Sequence, residues 1–420
     1  MRIAAKSAED RAHRLALLAT CLIGFSLFFD LYFTQVILGP IAEGFRTTVL
    51  QTRYTMVAAT AGVMFAPLFA SRLPQRKGIQ VAILAAMTLG GALEAAAPDL
   101  GTLIGMRFCQ GLLIGALFIQ AMGRVASIHR ARFGALSNGL FVSSTTLGGF
   151  ASRFVPGYLV DDLGAAGTFL VLASVLLAIC VAVLASPMPE ADTSPNRAYG
   201  PAKAPVAAVT AQVRRSAFAV EYMLGFCVLF GQVSLFTYLP VRLAQAPFFL
   251  ANRQIAAVAF VFLLGAVSAP MTLRVTRNDL SKAAISLFFG CIAVGASMTA
   301  VSNLYVVSAG LALFAGGVFA QQAMLSRRLT VRAGAATPQI FAVYMSIYYL
   351  GGSAGSYFCG AVFATSGFSG VVLIIVCLAT LGGAALYLRD AWRPIAAWRA
   401  VPAGGQPPFH ADPEKYEGKP

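Results

Sequence analysis

Between residues 15 and 388 the chain alternates long apolar runs with short polar breaks. About 20 apolar residues cross the hydrocarbon core of a bilayer. The pattern predicts twelve spanning helices, at 15–39, 54–72, 79–97, 102–123, 134–158, 168–186, 217–240, 254–273, 283–301, 304–325, 338–364 and 371–388. The apolar positions are continuous within each run, whereas the strands of a membrane barrel would alternate over about ten residues. The first run is too long for a cleavable leader, and no small-residue cleavage site follows it. The expected fold class is all-α and polytopic.

Composition agrees. The 420 residues are 58% hydrophobic and 11% charged, against about 25% charged in an ordinary soluble domain. Mean hydropathy is +0.75. The net charge of +15 would suit nucleic acid, but its distribution points elsewhere. With the N-terminus placed inside, 25 of the 31 Lys and Arg residues fall in cytoplasmic segments. Only Arg46, Arg53, Arg242 and Arg253 face the other side, and Arg107 and Arg153 lie within spans. This positive-inside asymmetry puts both termini in the cytoplasm and makes the lipid bilayer, rather than nucleic acid, the partner of the basic segments.

Cys21, Cys109, Cys180, Cys227, Cys291, Cys359 and Cys377 all fall in apolar spans and form no C-x-x-C pair. They read as packing residues. His13, His129 and His410 lie outside the spans, and neither a P-loop nor a zinc-hydrolase motif is present. No cofactor or metal is expected, and no nucleophile–base constellation points to an enzyme.

Residues 187–216 are polar and rich in Pro and Ala, and read as a cytoplasmic linker. The expected organisation is a cytoplasmic N-terminus (1–14), a six-helix bundle (15–186), the linker, a second six-helix bundle (217–388) and a disordered cytoplasmic tail (389–420). A shift of about 203 residues superposes the halves. Phe33-Thr34 meets Phe236-Thr237, Gly62, Ala66 and Pro67 meet Gly265, Ala269 and Pro270, and Leu147-Gly148-Gly149 meets Leu350-Gly351-Gly352. Gln120-Ala121-Met122 meets Gln322-Ala323-Met324 at an offset of 202. A parallel duplication of six helices implies a substrate site between the halves.

Over essentially its full length the chain resembles the major facilitator superfamily. DLYFTQVILGPIAEGF (30–45), RFCQGLLIGALF (107–118), LSNGLFVSSTTLGGFASRFVPGYLVDD (136–162) and VYMSIYYLGGSAGSYFCGAVF (343–363) are similar to its drug:proton antiporter branch, especially YnfM-like inner-membrane members. The resemblance implies two pseudo-symmetric six-helix bundles and a monomer in a bacterial inner membrane. It implies proton-coupled efflux of a small-molecule substrate, an amphipathic organic compound, by alternating access. It makes the fifth-helix glycines Gly148, Gly149 and Gly157 an antiporter motif, matched by Gly351 and Gly352 on the eleventh helix. Small residues let helix backbones approach closely in lipid. PLFASRLPQRK (67–77) is similar to the gate motif of the superfamily and keeps Arg72, Arg76 and Lys77. Ser71 replaces its Asp, and Pro67 and Pro74 replace its glycines, which implies a weaker gate.

Ionisable groups inside spans are costly and mark function. Here they are Asp30, Glu94, Arg107, Arg153 and, near a cytoplasmic end, Glu221. At about 1.5 Å per residue, Asp30 and Glu94 lie roughly 22 Å from the cytoplasmic face and Arg107 about 7 Å from the opposite one. In a slab about 30 Å thick these depths coincide. The RFCQG stretch resembles the fourth-helix motif whose Arg couples to an acid, often on the first helix, and Asp30 is the matching acid. Separating the pair would change the carboxylate's affinity for a proton. Asp30 and Arg107 are therefore the expected proton-coupling residues, with Glu94 third. Glu94 sits on a helix that is peripheral in this fold, beside Pro98 and Asp99, and reads as interfacial. Arg153 is expected to pair with Asp161 or Asp162, and Glu221 to lie beside Arg214 and Arg215.

Gln35, Gln110, Asn138, Gln232, Tyr238, Gln321, Tyr344 and Tyr348 are the candidate cavity residues. Aromatic rings with a few amides suit an amphipathic organic molecule. Two other functions fit the chain: proton-coupled uptake or export of one polar or anionic metabolite, with Arg107 or Arg153 as the anion site, and a transport-dead membrane receptor or scaffold.

Overall fold

The computed structural model describes residues 2–70, 73–128, 134–187, 218–263, 282–333 and 337–399, and of these the backbone alone at 2–11, 126–128, 134–138, 330, 333, 337–339, 386 and 388–399. Every regular element among them is helical. α1 (Arg2–Leu31) leads into a 3-10 turn, Phe33–Val36, and then α2 (Leu38–Gly44) and α3 (Val49–Thr52). α4 (Tyr54–Phe65), α5 (Pro67–Ala70), α6 (Lys77–Ala95), α7 (Leu100–Ile128) and α8 (Gly134–Ala185) follow. After the linker come α9 (Ala219–Leu243), α10 (Asn252–Val258), α11 (Lys282–Met298), α12 (Leu304–Ala333) and α13 (Thr337–Arg399).

Two apolar stretches, Gly139–Ala185 and Ile340–Ala385, are 47 and 46 residues long. Straight, each would reach about 70 Å at 1.5 Å per residue, more than twice the hydrocarbon core. Each instead turns at one glycine, Gly164 with φ 65° and Gly367 with φ 64°. Glycine enters that left-handed region without the Cβ clash that other residues meet. The contacts fix the directions. The first arm of α8 runs parallel to α1, with Gly148 against Phe25 and Gly157 against Val36. The second arm runs antiparallel to α6: Gly91 faces Ala173, Cys180 lies on the Val81 carbonyl, and Lys77 donates to the carbonyls of Leu184 and Ser186. The four spans expected over 134–158, 168–186, 338–364 and 371–388 are thus two hairpins, each turning on a single residue.

The duplication read in the sequence returns as contacts. A Cβ on Gly148 would strike the backbone oxygen of Phe25, and one on Gly351 would strike that of Phe226. α1 with α8, and α9 with α13, are therefore packed backbone to backbone at corresponding places. Gly149 differs from the expectation that it too is a packing glycine. A Cβ there would meet only Arg153 Nη1, at 3.9 Å. Helix geometry turns neighbouring residues about 100° apart, so Gly148 faces α1 and Gly149 does not. Gly352 meets Leu229 and Val233 side chains at 3.1–3.2 Å, a looser contact than that of Gly351.

Hydrogen bonds and ion pairs between described residues of the two halves lie at the end of the helices away from the N-terminus. Thr60 Oγ1 and Ser353 Oγ are 2.8 Å apart, Ser356 bonds the Arg53 carbonyl at 3.5 Å, and Gln35 Nε2 donates to Thr237 Oγ1 at 3.3 Å. Asn252 donates to Asp161 at 2.7 Å, and Arg253 pairs with Asp162. At the same end Gly157 fits against Ala256 at 3.0 Å.

Other boundaries differ from the expected ones. The first expected span, 15–39, is helical only to Leu31 and then tightens to a 3-10 turn that carries Gln35. Pro67 lacks an amide donor, and the second span is interrupted between Phe65 and Pro67. The expected tail begins at 389, yet α13 continues to Arg399. Residues 264–273 of the eighth span and 188–216 of the linker lie outside the described residues.

Candidate functional site

Four side chains from three helices meet in a closed polar cluster. Arg107 on α7 places Nη1 3.1 Å from both Asp30 Oδ1 and the Asp30 carbonyl on α1. Its Nη2 is 2.5 Å from Glu94 Oε2 on α6. Gln110, one turn along α7, donates to Asp30 Oδ2 at 2.7 Å and to the Met87 carbonyl at 2.9 Å. A Cβ at Gly90 would strike the Gln110 amide oxygen, so the missing side chain makes room for that amide. Asp30 and Arg107 are wholly buried, and Glu94 is 2% exposed. The cluster holds two carboxylates and one guanidinium. It is neutral only when it also holds one proton, and an uncompensated charge in a low-dielectric interior is expensive.

The depth match between Asp30 and Arg107 thus corresponds to contact. The interfacial placement of Glu94 is corrected: it is an equal member of the cluster. Its helix buries Gln80, Ile83, Leu84, Met87, Gly91 and Glu94, a stripe at three- and four-residue spacing. That stripe is readable in the sequence and points Glu94 inward with Met87. Gln110, assigned to the cavity, belongs to this cluster.

A second buried arginine has no carboxylate partner among the described residues. Arg153 on α8 is 5% exposed. Its Nη1 donates to the Gly149 carbonyl at 2.7 Å and to Ser152 Oγ at 3.3 Å, and its Nη2 to Gln35 Oε1 at 2.5 Å. Three rings surround the guanidinium carbon, with centroids at 4.7 Å for Tyr32, 4.9 Å for Phe236 and 4.3 Å for Phe262. Nε has no partner. The expected pairing of Arg153 with Asp161 or Asp162 is corrected. Those residues lie eight and nine positions on, about two helical turns away, and bond to Asn252 and Arg253 instead. A small pocket adjoins Arg153 and Gln35, and its wall includes Phe236, Leu239, Ile255 and Phe262 from the other half. The ring residues Tyr32, Phe236 and Phe262 carry no polar signal that would single them out in the sequence.

The remaining candidates scatter. Tyr238 donates to the Ser356 carbonyl at 2.5 Å and stacks on Phe363, so it ties α9 to α13. Tyr344 and Tyr348 lie 5.6 Å apart ring to ring, and Tyr344 packs on Gly225. Gln232 is buried, and Gln321 is buried with neither amide atom bonded among the described residues. Glu221 bonds Arg328 at 2.9 Å and also pairs with Arg332 on α12. The expected neighbours of Glu221, Arg214 and Arg215, lie outside the described residues, as do Arg72 and the side chain of Asn138. Arg76 is exposed at the head of α6. Asp99 precedes α7 and accepts the Thr102 amide at 2.9 Å and its hydroxyl at 2.8 Å. These bonds, the amide first, hold the Asp99 carboxyl below its usual range.

The model of one family, described as Major Facilitator Superfamily, matches residues 20–356. The chain is 24% identical over 369 residues to an uncharacterized transporter of Buchnera aphidicola subsp. Baizongia pistaciae (strain Bp), covering 87% of this chain and 91% of that one. It is 26% identical over 392 residues to the inner membrane transport protein YnfM of Escherichia coli (strain K12), covering 89% and 90%. It is 27% identical over 348 residues to the uncharacterized MFS-type transporter YybF of Bacillus subtilis (strain 168), covering 79% and 82%. Among solved structures, a bacterial homolog to the human lysosomal transporter Spinster, in an inward-facing and occupied conformation, superposes with a TM-score of 0.70 at 13% identity. That alignment covers 90% of this chain and 97% of the other.

Proposed function

Because the chain belongs to the Major Facilitator Superfamily of membrane transporters, we propose that it is a proton-coupled exporter of small amphipathic organic compounds that works by alternating access. The Asp30–Glu94–Arg107 cluster carries this reading. It joins three helices of one half, so a change in their packing alters the distance between Arg107 and its acids. In the packed state one proton balances the two carboxylates. When a helix shift draws a carboxylate away from Arg107, the charge balance changes and protons are exchanged. The substrate site is placed between the halves, as in other duplicated transporters. The contacts at the far ends of the helices, Thr60 with Ser353 and Gln35 with Thr237, are read as a closed outer gate. Export rather than uptake rests on the fifth-helix glycines and their likeness to the antiporter motif. The basic segments support cytoplasmic termini, and the protein is taken to act as a monomer in a bacterial inner membrane.

Purified protein in liposomes with an imposed pH difference tests the reading. Uptake of a fluorescent amphipathic dye should follow the proton gradient and survive without ATP. Transport driven by sodium alone or by ATP alone would reject proton exchange. Reporter fusions after residue 200 and at the C-terminus test the topology, and an external signal from either would overturn it.

A further inference from the structure

We propose that Arg153 and Gln35 form the polar end of an organic-anion site, whose apolar end is the pocket wall from the opposite half. This assignment rests on the export reading and names its substrate class; the site is chemically separate from the proton cluster. An arginine carries five N–H donors. The bonds to Gly149, Ser152 and Gln35 use three of them, which leaves Nε–H and one hydrogen of Nη2. Nε and Nη2 are neighbouring nitrogens of the planar fork that receives a carboxylate in two parallel bonds.

The charge balance points the same way. Arg153 is buried, and among the described residues no carboxylate pairs with it. Three aromatic faces lessen the cost of its charge without cancelling it. A bound anion would cancel it. Gln35 receives one donor of Arg153 and gives one to Thr237, so the guanidinium is held from both halves. The pocket beside it is lined by Val36, Phe236, Leu239, Leu243, Ile255 and Phe262. The cavity measures about 30 Å³ with the halves packed as they are, so a carboxylate at Arg153 with an aromatic or aliphatic body against this wall satisfies both ends once the outer contacts between the halves part. A hydrophobic cation would meet Arg153 with like charge.

Three probes share one body and differ in charge: phenylacetate, phenylacetamide and phenethylamine. Their binding is measured by titration calorimetry on the full chain in nanodiscs at neutral pH. Phenylacetate should bind about tenfold more tightly than the amide, the scale of one charge-assisted bond, and the amine should bind most weakly. Arg153→Gln should abolish the preference, and Arg153→Lys should keep part of it. Equal binding of acid and amide to the wild-type chain, or no binding of any probe, overturns the proposal. So does a preference that survives Arg153→Gln. The wild-type comparison needs no variant to fold. Proton-driven dye export without acid preference would sink the anion site and spare the export reading. Acid preference without proton-driven transport would do the reverse.

Discussion

Arg107 and Arg153 lie buried in the same half of the molecule, and their surroundings are opposites. Arg107 faces two carboxylates, Asp30 and Glu94, with a glutamine completing the shell. Arg153 faces an amide oxygen, a backbone carbonyl, a hydroxyl and three rings. The first site has one negative charge too many, and the second has one positive charge too many. A surplus carboxylate has use for a proton, and a surplus guanidinium has use for an anion. Residue type alone therefore says little about an intramembrane arginine. The count of fixed charges around it says what must come and go.

The largest effect should come from removing the cation that has two partners. Arg107→Met leaves two buried acids unpaired, and losing one member of a buried pair costs about 3–5 kcal/mol. Inserted protein should fall sharply. Adding Asp30→Asn and Glu94→Gln should restore it without restoring proton coupling. Protein level after detergent extraction and gel filtration is the readout, and a stable Arg107→Met single variant would break the contrast.

Next in size is the effect of Asp30→Asn, which keeps shape and removes one charge. Proton-driven accumulation should be lost, while gradient-independent exchange of substrate persists. Retained proton-linked accumulation would move the carrier role to Glu94, which Glu94→Gln tests in the same vesicles.

Gln35→Glu sharpens the comparison from the other side. It gives Arg153 the carboxylate it lacks and so copies the Arg107 arrangement. Binding of phenylacetate should weaken about tenfold, the worth of one charge-assisted bond, with little change for the amide. An unchanged acid preference would mean that Arg153 is not the group recognised.

The smallest effect belongs to Asp99, outside the membrane segments. Its carboxyl is held below the usual range by the Thr102 amide and hydroxyl. A depressed folded value stabilises above the unfolded one, and that stability is lost as pH falls through the folded value. Asp99→Ala should lower Tm slightly at neutral pH, and the difference should close in acid. A constant difference across pH would assign the effect to something other than charge.

What is legible in the sequence follows from how local each signal is. Apolar run length and basic loops mark most of the helices, because membrane thickness imposes them. The Asp30–Arg107 contact can be anticipated because both residues share a depth. Glu94 is misread when its position near Pro98 is weighed above the face it shares with Met87 and Gly91. Matching Arg153 to the nearest acids in the chain fails because Asp161 and Asp162 reach α10 in the other half. Contacts between halves have no local spacing to betray them. The packing role of Gly148 is visible as a small-residue pattern, but the separate position of its neighbour Gly149 needs the actual orientation of α8.

The matching contacts of Gly148 with Phe25 and Gly351 with Phe226 also bear on the history of the chain. After duplication both copies kept the same mechanical joint. The charges did not stay paired in this way. At the repeat offsets Asp30 corresponds to Val233, Glu94 to Ser297, Arg107 to Ala309 and Arg153 to Ser356. At these four positions the first copy is charged and the second is neutral. That asymmetry leaves the pocket wall of the second copy, Phe236, Leu239, Ile255 and Phe262, free to change to suit new cargo while the Asp30–Glu94–Arg107 cluster of the first stays untouched.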